Sequence, residues 1–172
     1  MKILDNINHT VREDLQDTMQ KGSRVSIAAA CFSIYAYQEL KKQLEEIAEL
    51  RFIFTSPTFV QENTPKERRE FYIPKLTREK SLYGTEFEVR LRNELTQKAL
   101  AKECADWVRR KVKFRSNVSG EQMPGFMTVG ESSYMPISGF TTVDLGCERG
   151  NNAYYPVQRT EAFENGRYFL SL

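Results

Sequence analysis

Two short apolar runs separated by one amphipathic stretch constrain this chain more than any other feature. Residues 24–33 (RVSIAAACFS) are β-compatible and almost wholly apolar, which reads as a buried strand. Residues 34–48 place Leu40, Leu44 and Ile47 on one helical stripe and Lys41, Lys42, Glu45 and Glu46 on the other, with Ser33 where an N-cap belongs. Residues 50–55 (LRFIFT) form a second apolar run, closed by Ser56 and Pro57. Strand, helix and strand within about 30 residues make a βαβ unit, which implies parallel strands and a right-handed crossover.

The rest of the chain is read around that unit. Residues 10–19 predict a helix, because Val11, Leu15 and Met19 line one face and Thr10 with Glu13 fits a capping box; Gly22 ends it. Residues 58–84 are punctuated by Pro65, Pro74 and Gly84 and carry KERRE at 66–70, as an exposed insertion would. A second capping-box pattern, Thr85 with Glu88, opens a long helix. Phe87, Leu91, Leu95 and Ala99 step along one face of it, continued by Cys104, Trp107 and Val108. Residues 112–117 (VKFRSN) alternate as a strand does, residues 125–129, 134–137 and 140–145 predict short antiparallel strands, and residues 146–152 (GCERGNN) a polar loop. The expected fold is α/β, a mixed sheet flanked by helices, in a single domain over residues 1–172. A chain of 172 residues is long enough to bury a substantial core. Its apolar end, RYFLSL at 167–172, leads us to expect one domain of a longer protein.

Several function classes are excluded at this level. No apolar run approaches the roughly 20 residues of a membrane span, and Asp5 sits where a signal peptide would be apolar. Three cysteines (Cys31, Cys104, Cys147) without CxxC spacing read as reduced thiols, and a cytoplasmic protein is expected. No phosphate-binding P-loop, GxGxxG, GxSxG or HExxH motif is present. The single histidine, His9, lies at the edge of the first helix and reads as a surface residue, since a catalytic base must come within hydrogen-bond reach of its nucleophile. Asp144 and Glu148 could pair at a metal and would support a metal-dependent phosphodiesterase, but a divalent cation needs several more oxygens. No cofactor and no metal are expected.

Charge is the stronger signal. Residues 66–115 hold 15 basic and 8 acidic residues, a local +7 against −5 in the remainder. Arg90, Arg92, Lys98 and Lys102 lie opposite the apolar stripe of the long helix. Arg109, Arg110, Lys111, Lys113 and Arg115 crowd the point where helix gives way to strand. Cations at a helix C-terminus complement its dipole, yet five in seven positions exceed that need and suit nucleic-acid phosphates. A second feature is the stretch 138–152, where Ser138, Thr141, Thr142, Asn151 and Asn152, with Gly139, Gly146 and Gly150, could line a phosphate cleft. A β-hairpin with its turns would use the same residues.

The order of these elements, with FTSP at 54–57, CADWVRRKVKFRSN at 104–117, GFMTV at 125–129 and ISGFTTVDLG at 137–146, resembles one half of the phospholipase D superfamily. More narrowly it resembles the phospholipase D-like domain at the N-terminus of bacterial DEAD/DEAH-type helicases. That superfamily cleaves phosphodiesters with HxKxxxxD motifs, two of which meet at one site. The motif should fall at 123–129, which here reads MPGFMTV and holds neither His nor Lys. The family's Gly-Ser-x-Asn turn has its counterpart in Ser138 to Thr141. The resemblance therefore implies a domain without the family's catalysis that keeps phosphate contacts. It would bind nucleic acid, DNA in the first instance, for an attached helicase whose ATP site lies elsewhere, with a homodimer as a possible assembly. A protein-docking or dimerisation domain is the rival from the interaction class.

Overall fold

The computed structural model describes residues 1–55, 94–119, 121–149 and 155–161. Among these, the elements run β1 (Lys2–Leu4), α1 (Val11–Thr18), β2 (Arg24–Ala29), α2 (Ile34–Glu39), α3 (Lys41–Glu46), β3 (Glu49–Phe54), α4 (Glu94–Lys111), β4 (Val112–Ser116), β5 (Phe126–Val129), β6 (Ser132–Met135) and β7 (Val157–Glu161). The seven strands form one mixed sheet in the order β1-β7-β6-β5-β2-β3-β4. The fold is α/β, as expected from the βαβ unit: β2, β3 and β4 are parallel, and β5, β6, β7 and β1 are added antiparallel. No helix among the described residues is long and apolar enough to cross a membrane.

Local chemistry sets several boundaries. Thr10 and Glu13 make the anticipated capping box on α1. The Ser33 hydroxyl accepts from the Tyr35 amide to start α2. The expected helix over 34–48 is two helices, because Leu40 leaves helical geometry at φ −115° and ψ 13°. The apolar face of α4 runs through Leu100, Cys104 and Trp107, all buried, while Ala99 is exposed. Steps of four drift off a helix of 3.6 residues per turn, whereas the steps of four and three from Leu100 hold one face. β6 stops at Met135, since Pro136 offers no amide to the ladder. The first half of the expected long helix, with Thr85, Phe87, Glu88, Arg90 and Leu91, lies outside the described residues, as do the 58–84 segment, Asn151, Asn152 and the 167–172 end.

The strand expected over 140–145 is a turn. Phe140 makes a single bridge to Phe32. The Leu145, Gly146 and Cys147 amides then donate back to the Thr141, Val143 and Thr142 carbonyls. Two details favour the turn over a strand: the Thr141 hydroxyl donates to the Asp144 carboxylate, and Gly146 takes the left-handed φ of 78°.

Register divides the sheet into two faces. Val25, Ile27 and Ala29 of β2 fall beside Leu50 and Phe52 of β3, Met127 and Val129 of β5, and Tyr134 of β6, and all are buried. This is the helical face: Tyr134 reaches Asp14 of α1, and the Trp107 indole packs against Tyr37, ring centroids 4.9 Å apart and tilted by 36°, while its Nε1 donates to the Leu44 carbonyl at 2.8 Å. The second face carries Arg24, Ser26 and Ala28 of β2, Glu49, Arg51 and Ile53 of β3, Lys113 and Arg115 of β4, and Phe126 and Thr128 of β5. There Ala28 and Phe126 are buried, and Arg24, Arg51, Lys113 and Arg115 are exposed.

Candidate nucleic-acid interface

The five cations of the helix-to-strand junction do not act as one set. Arg110 pairs with Glu45 at 3.1 Å, the Lys111 ammonium donates to the Ile47 carbonyl at 2.6 Å, and Lys113 pairs with Glu49 at 3.2 Å. The α4–β4 corner thus lies along the α3–β3 corner, residue for residue. Arg109 pairs with Asp106 one turn back, at 2.8 Å. Exposed pairs of this kind are worth about 0–1 kcal/mol, so a phosphate can draw such cations away. Lys111 is different, because it is half-buried and satisfies a backbone carbonyl.

Alternation along β4 sends Lys113 and Arg115 to the second face, and register adds two cations that the run itself does not contain. Lys113 lies beside Arg51 across β3, and Arg24 lies beside Glu49 across β2. Among the described residues of β2, β3 and β4, four cations therefore share this face with one carboxylate, Glu49. The Lys113 ammonium, and after it the Arg51 guanidinium, hold that carboxyl below the usual carboxylate range. Arg51 sits inside the apolar run LRFIFT. In an alternating strand its position between Leu50 and Phe52 already directs it to the opposite face, and this is the signal that could have found it.

The candidate cleft residues lie at the other end of the parallel strands. The Ser138 carbonyl accepts from the Ala30 amide, and the Phe140 carbonyl from the Ser33 amide. Ser26 is level with Arg51 and Lys113, so the level of Lys113 and that of Ser138 are four residues, about 13 Å, apart along the strand direction. Ser138 is exposed. The hydroxyl protons of Thr141 and Thr142 are directed at Asp144 and Glu148. A Cβ at Gly139 would stand 2.7 Å from Cys31 Sγ and 2.8 Å from Asp144 Oδ2, so the close approach this glycine permits is taken up by the chain's own groups. Burial pushes the Asp144 carboxyl up, against the Thr141 hydroxyl and the Gly139 and Thr141 amides that donate to it. The Asn6 amide nitrogen fixes the turn by donating to the Asp144 carbonyl at 2.9 Å. Between residues 138 and 149, two carboxylates and the committed Thr141 and Thr142 hydroxyls give a phosphate little to bind, and the geometry there favours a turn.

Two further candidates are placed by the structure. No three His, Cys, Asp or Glu side chains come together as a metal cluster among the described residues. His9 is exposed in a loop whose Ile7, Asn8 and His9 amides all donate to Asp5 Oδ1. In the stretch 123–129, Phe126, Met127 and Val129 are buried, and a Cβ at Gly125 would stand 1.6 Å from the Ile137 carbonyl oxygen. That stretch offers neither a histidine nor a cation. No family model, curated protein or solved structure matches the chain.

Proposed function

We propose that this chain is a non-catalytic, phospholipase D-like accessory domain that binds nucleic-acid backbone phosphates for an attached helicase. The observation that carries the reading is the register that brings Arg24, Arg51, Lys113 and Arg115 onto one face of three adjacent strands, the first three of them around the Glu49 carboxylate. A surface of this kind positions a phosphate backbone without reading bases. The mixed sheet with its parallel β2-β3-β4 half is compatible with the phospholipase D resemblance, and the uncharged 123–129 stretch, with Phe126, Met127 and Val129 buried, supports the absence of the family's chemistry. With a nucleic-acid partner and three free thiols, the cytoplasm is the proposed compartment.

Fluorescence anisotropy of labelled single-stranded, duplex and forked DNA tests the reading. Four phosphate contacts on duplex DNA give a log–log salt slope of about −3.6, a loss of order a hundredfold in affinity between about 50 and 200 mM salt. Arg51→Glu/Lys113→Glu/Arg115→Glu should abolish binding, and a gel of the same samples should show no cleavage. Absence of binding at low salt, or binding that the triple variant retains, would refute the reading.

A further inference from the structure

We propose that Glu49 is a built-in competitor for phosphate: its carboxylate fills an anion site made by Arg24, Arg51 and Lys113, and a backbone phosphate binds by displacing it. The inference rests on the reading above and concerns how that face is regulated. Three strands contribute to the site. Glu49 Oε1 lies 2.7 Å from Arg51 Nη2 and 4.0 Å from Arg24 Nε, while Oε2 lies 3.2 Å from Lys113 Nζ. One carboxylate is thus surrounded by cations from β2, β3 and β4, as one phosphodiester oxygen pair would be.

The exposures show how displacement can occur. The Glu49 side chain is 20% exposed, whereas those of Arg24, Arg51 and Lys113 are 78%, 58% and 73% exposed. The carboxylate lies innermost and the cations stand over it in solvent. They can therefore turn to an arriving phosphate without any buried contact being broken. A phosphodiester and a carboxylate each carry one negative charge, so the exchange is charge for charge. Affinity is then set by the difference between two anions and falls below what four cations alone would give. Lys113 and Arg51 hold Glu49 ionised, so the competitor is in place at neutral pH.

Glu49→Gln keeps the shape and removes the charge. It gives up three solvent-exposed ion pairs, each individually weak, so binding of a labelled DNA single strand should tighten by between about threefold and thirtyfold. Asp17→Asn makes the same charge change on an exposed position of α1, on the helical side, and should leave affinity unchanged. In an Arg51→Gln/Lys113→Gln background the gain from Glu49→Gln should vanish, because the site it vacates no longer exists. Thermal melts of each variant confirm that the compared proteins are folded. If wild type binds and the charge-reversed triple variant does not, yet Glu49→Gln fails to tighten binding, the competitor role is overturned and the interface stands. An equal gain from Asp17→Asn would overturn it too, by reducing the effect to net charge. If neither wild type nor Glu49→Gln binds DNA, both proposals fall.

Discussion

Asp14→Ala should destabilise the fold by about 2–3 kcal/mol while leaving the second face of the sheet intact. The Asp14 side chain is only 2% exposed, and three groups converge on it. The Lys2 ammonium lies at 2.6 Å, the Tyr134 hydroxyl donates at 2.9 Å, and Arg159 Nη1 lies 3.4 Å from both carboxylate oxygens. The cluster ties β1, β6 and β7 to α1. Removing one partner of a buried ion pair costs about 3–5 kcal/mol in general. Two features lower the figure here: Arg159 keeps Glu161 at 2.6 Å, and Thr18 Oγ1, 3.0 Å from the Tyr134 hydroxyl, can take its proton. For a chain of this size the change amounts to a fall in Tm of about 4–12 °C. Trp107 is the sole tryptophan and is fully buried, so its fluorescence during urea unfolding reports the stability directly. The pH dependence carries a sign. Burial alone would raise the Asp14 carboxyl, but Lys2, Tyr134 and Arg159 outweigh it and the net shift is downward. The contribution is therefore full above the unfolded carboxyl value of about 3.9 and is lost as pH falls through the lower folded value. Wild type and variant should converge in acid. A loss under about 1 kcal/mol at neutral pH, or a gap that widens on acidification, would refute the reasoning.

Two further substitutions probe how tightly the remaining contacts are made. Gly125→Ala should cost about 3 kcal/mol, the upper end for overpacking, because the obstructing Ile137 oxygen is backbone and cannot rotate away; the urea midpoint measures it. Trp107→Phe removes the Nε1 bond to the Leu44 carbonyl and part of the ring contact with Tyr37, and should cost about 2–3 kcal/mol by calorimetry.

Where the sequence was informative, it was so through periodicity and short-range chemistry. The βαβ unit, both strands of its parallel pair, the Thr10–Glu13 box and the Ser33 cap follow from apolar spacing and local donors. β1 and β7 were not legible, because three residues of KIL and the polar VQRTE acquire strand character only by pairing with each other and with β6. The 140–145 stretch misleads for the opposite reason: FTTVDL has strand-like composition, and a side-chain contact between Thr141 and Asp144 decides for a turn. The candidate site was legible in its residue types but not in its grouping. Lys113 and Arg115 belong with Arg51 and Arg24, which are 62 and 89 positions from Lys113 in sequence, and only strand register joins them. Thr141 and Thr142 look like free donors in the sequence, yet their partners, Asp144 and Glu148, are within six residues of them.

The same register sets different chemical constraints on the two faces of the sheet. Residues 125, 127 and 129 alternate toward the helical face, and Met127 and Val129 are buried there among apolar neighbours. Any ionised side chain placed in that row would carry the desolvation cost of the core unless a built site paired it. In such a row apolar packing is stabilising, and a His or Lys introduced there meets either the Ile137 carbonyl or the core. The second face is under no such constraint. Its arginines and lysine stay in water, where a cation needs no partner to be tolerated, and each can be altered singly at small cost in stability. Charge is therefore free to vary on one face while the other is fixed by packing. The proposed function requires this division: a phosphate-binding surface whose strength is set by Glu49 and its three cations, on a sheet whose other side is committed to the core.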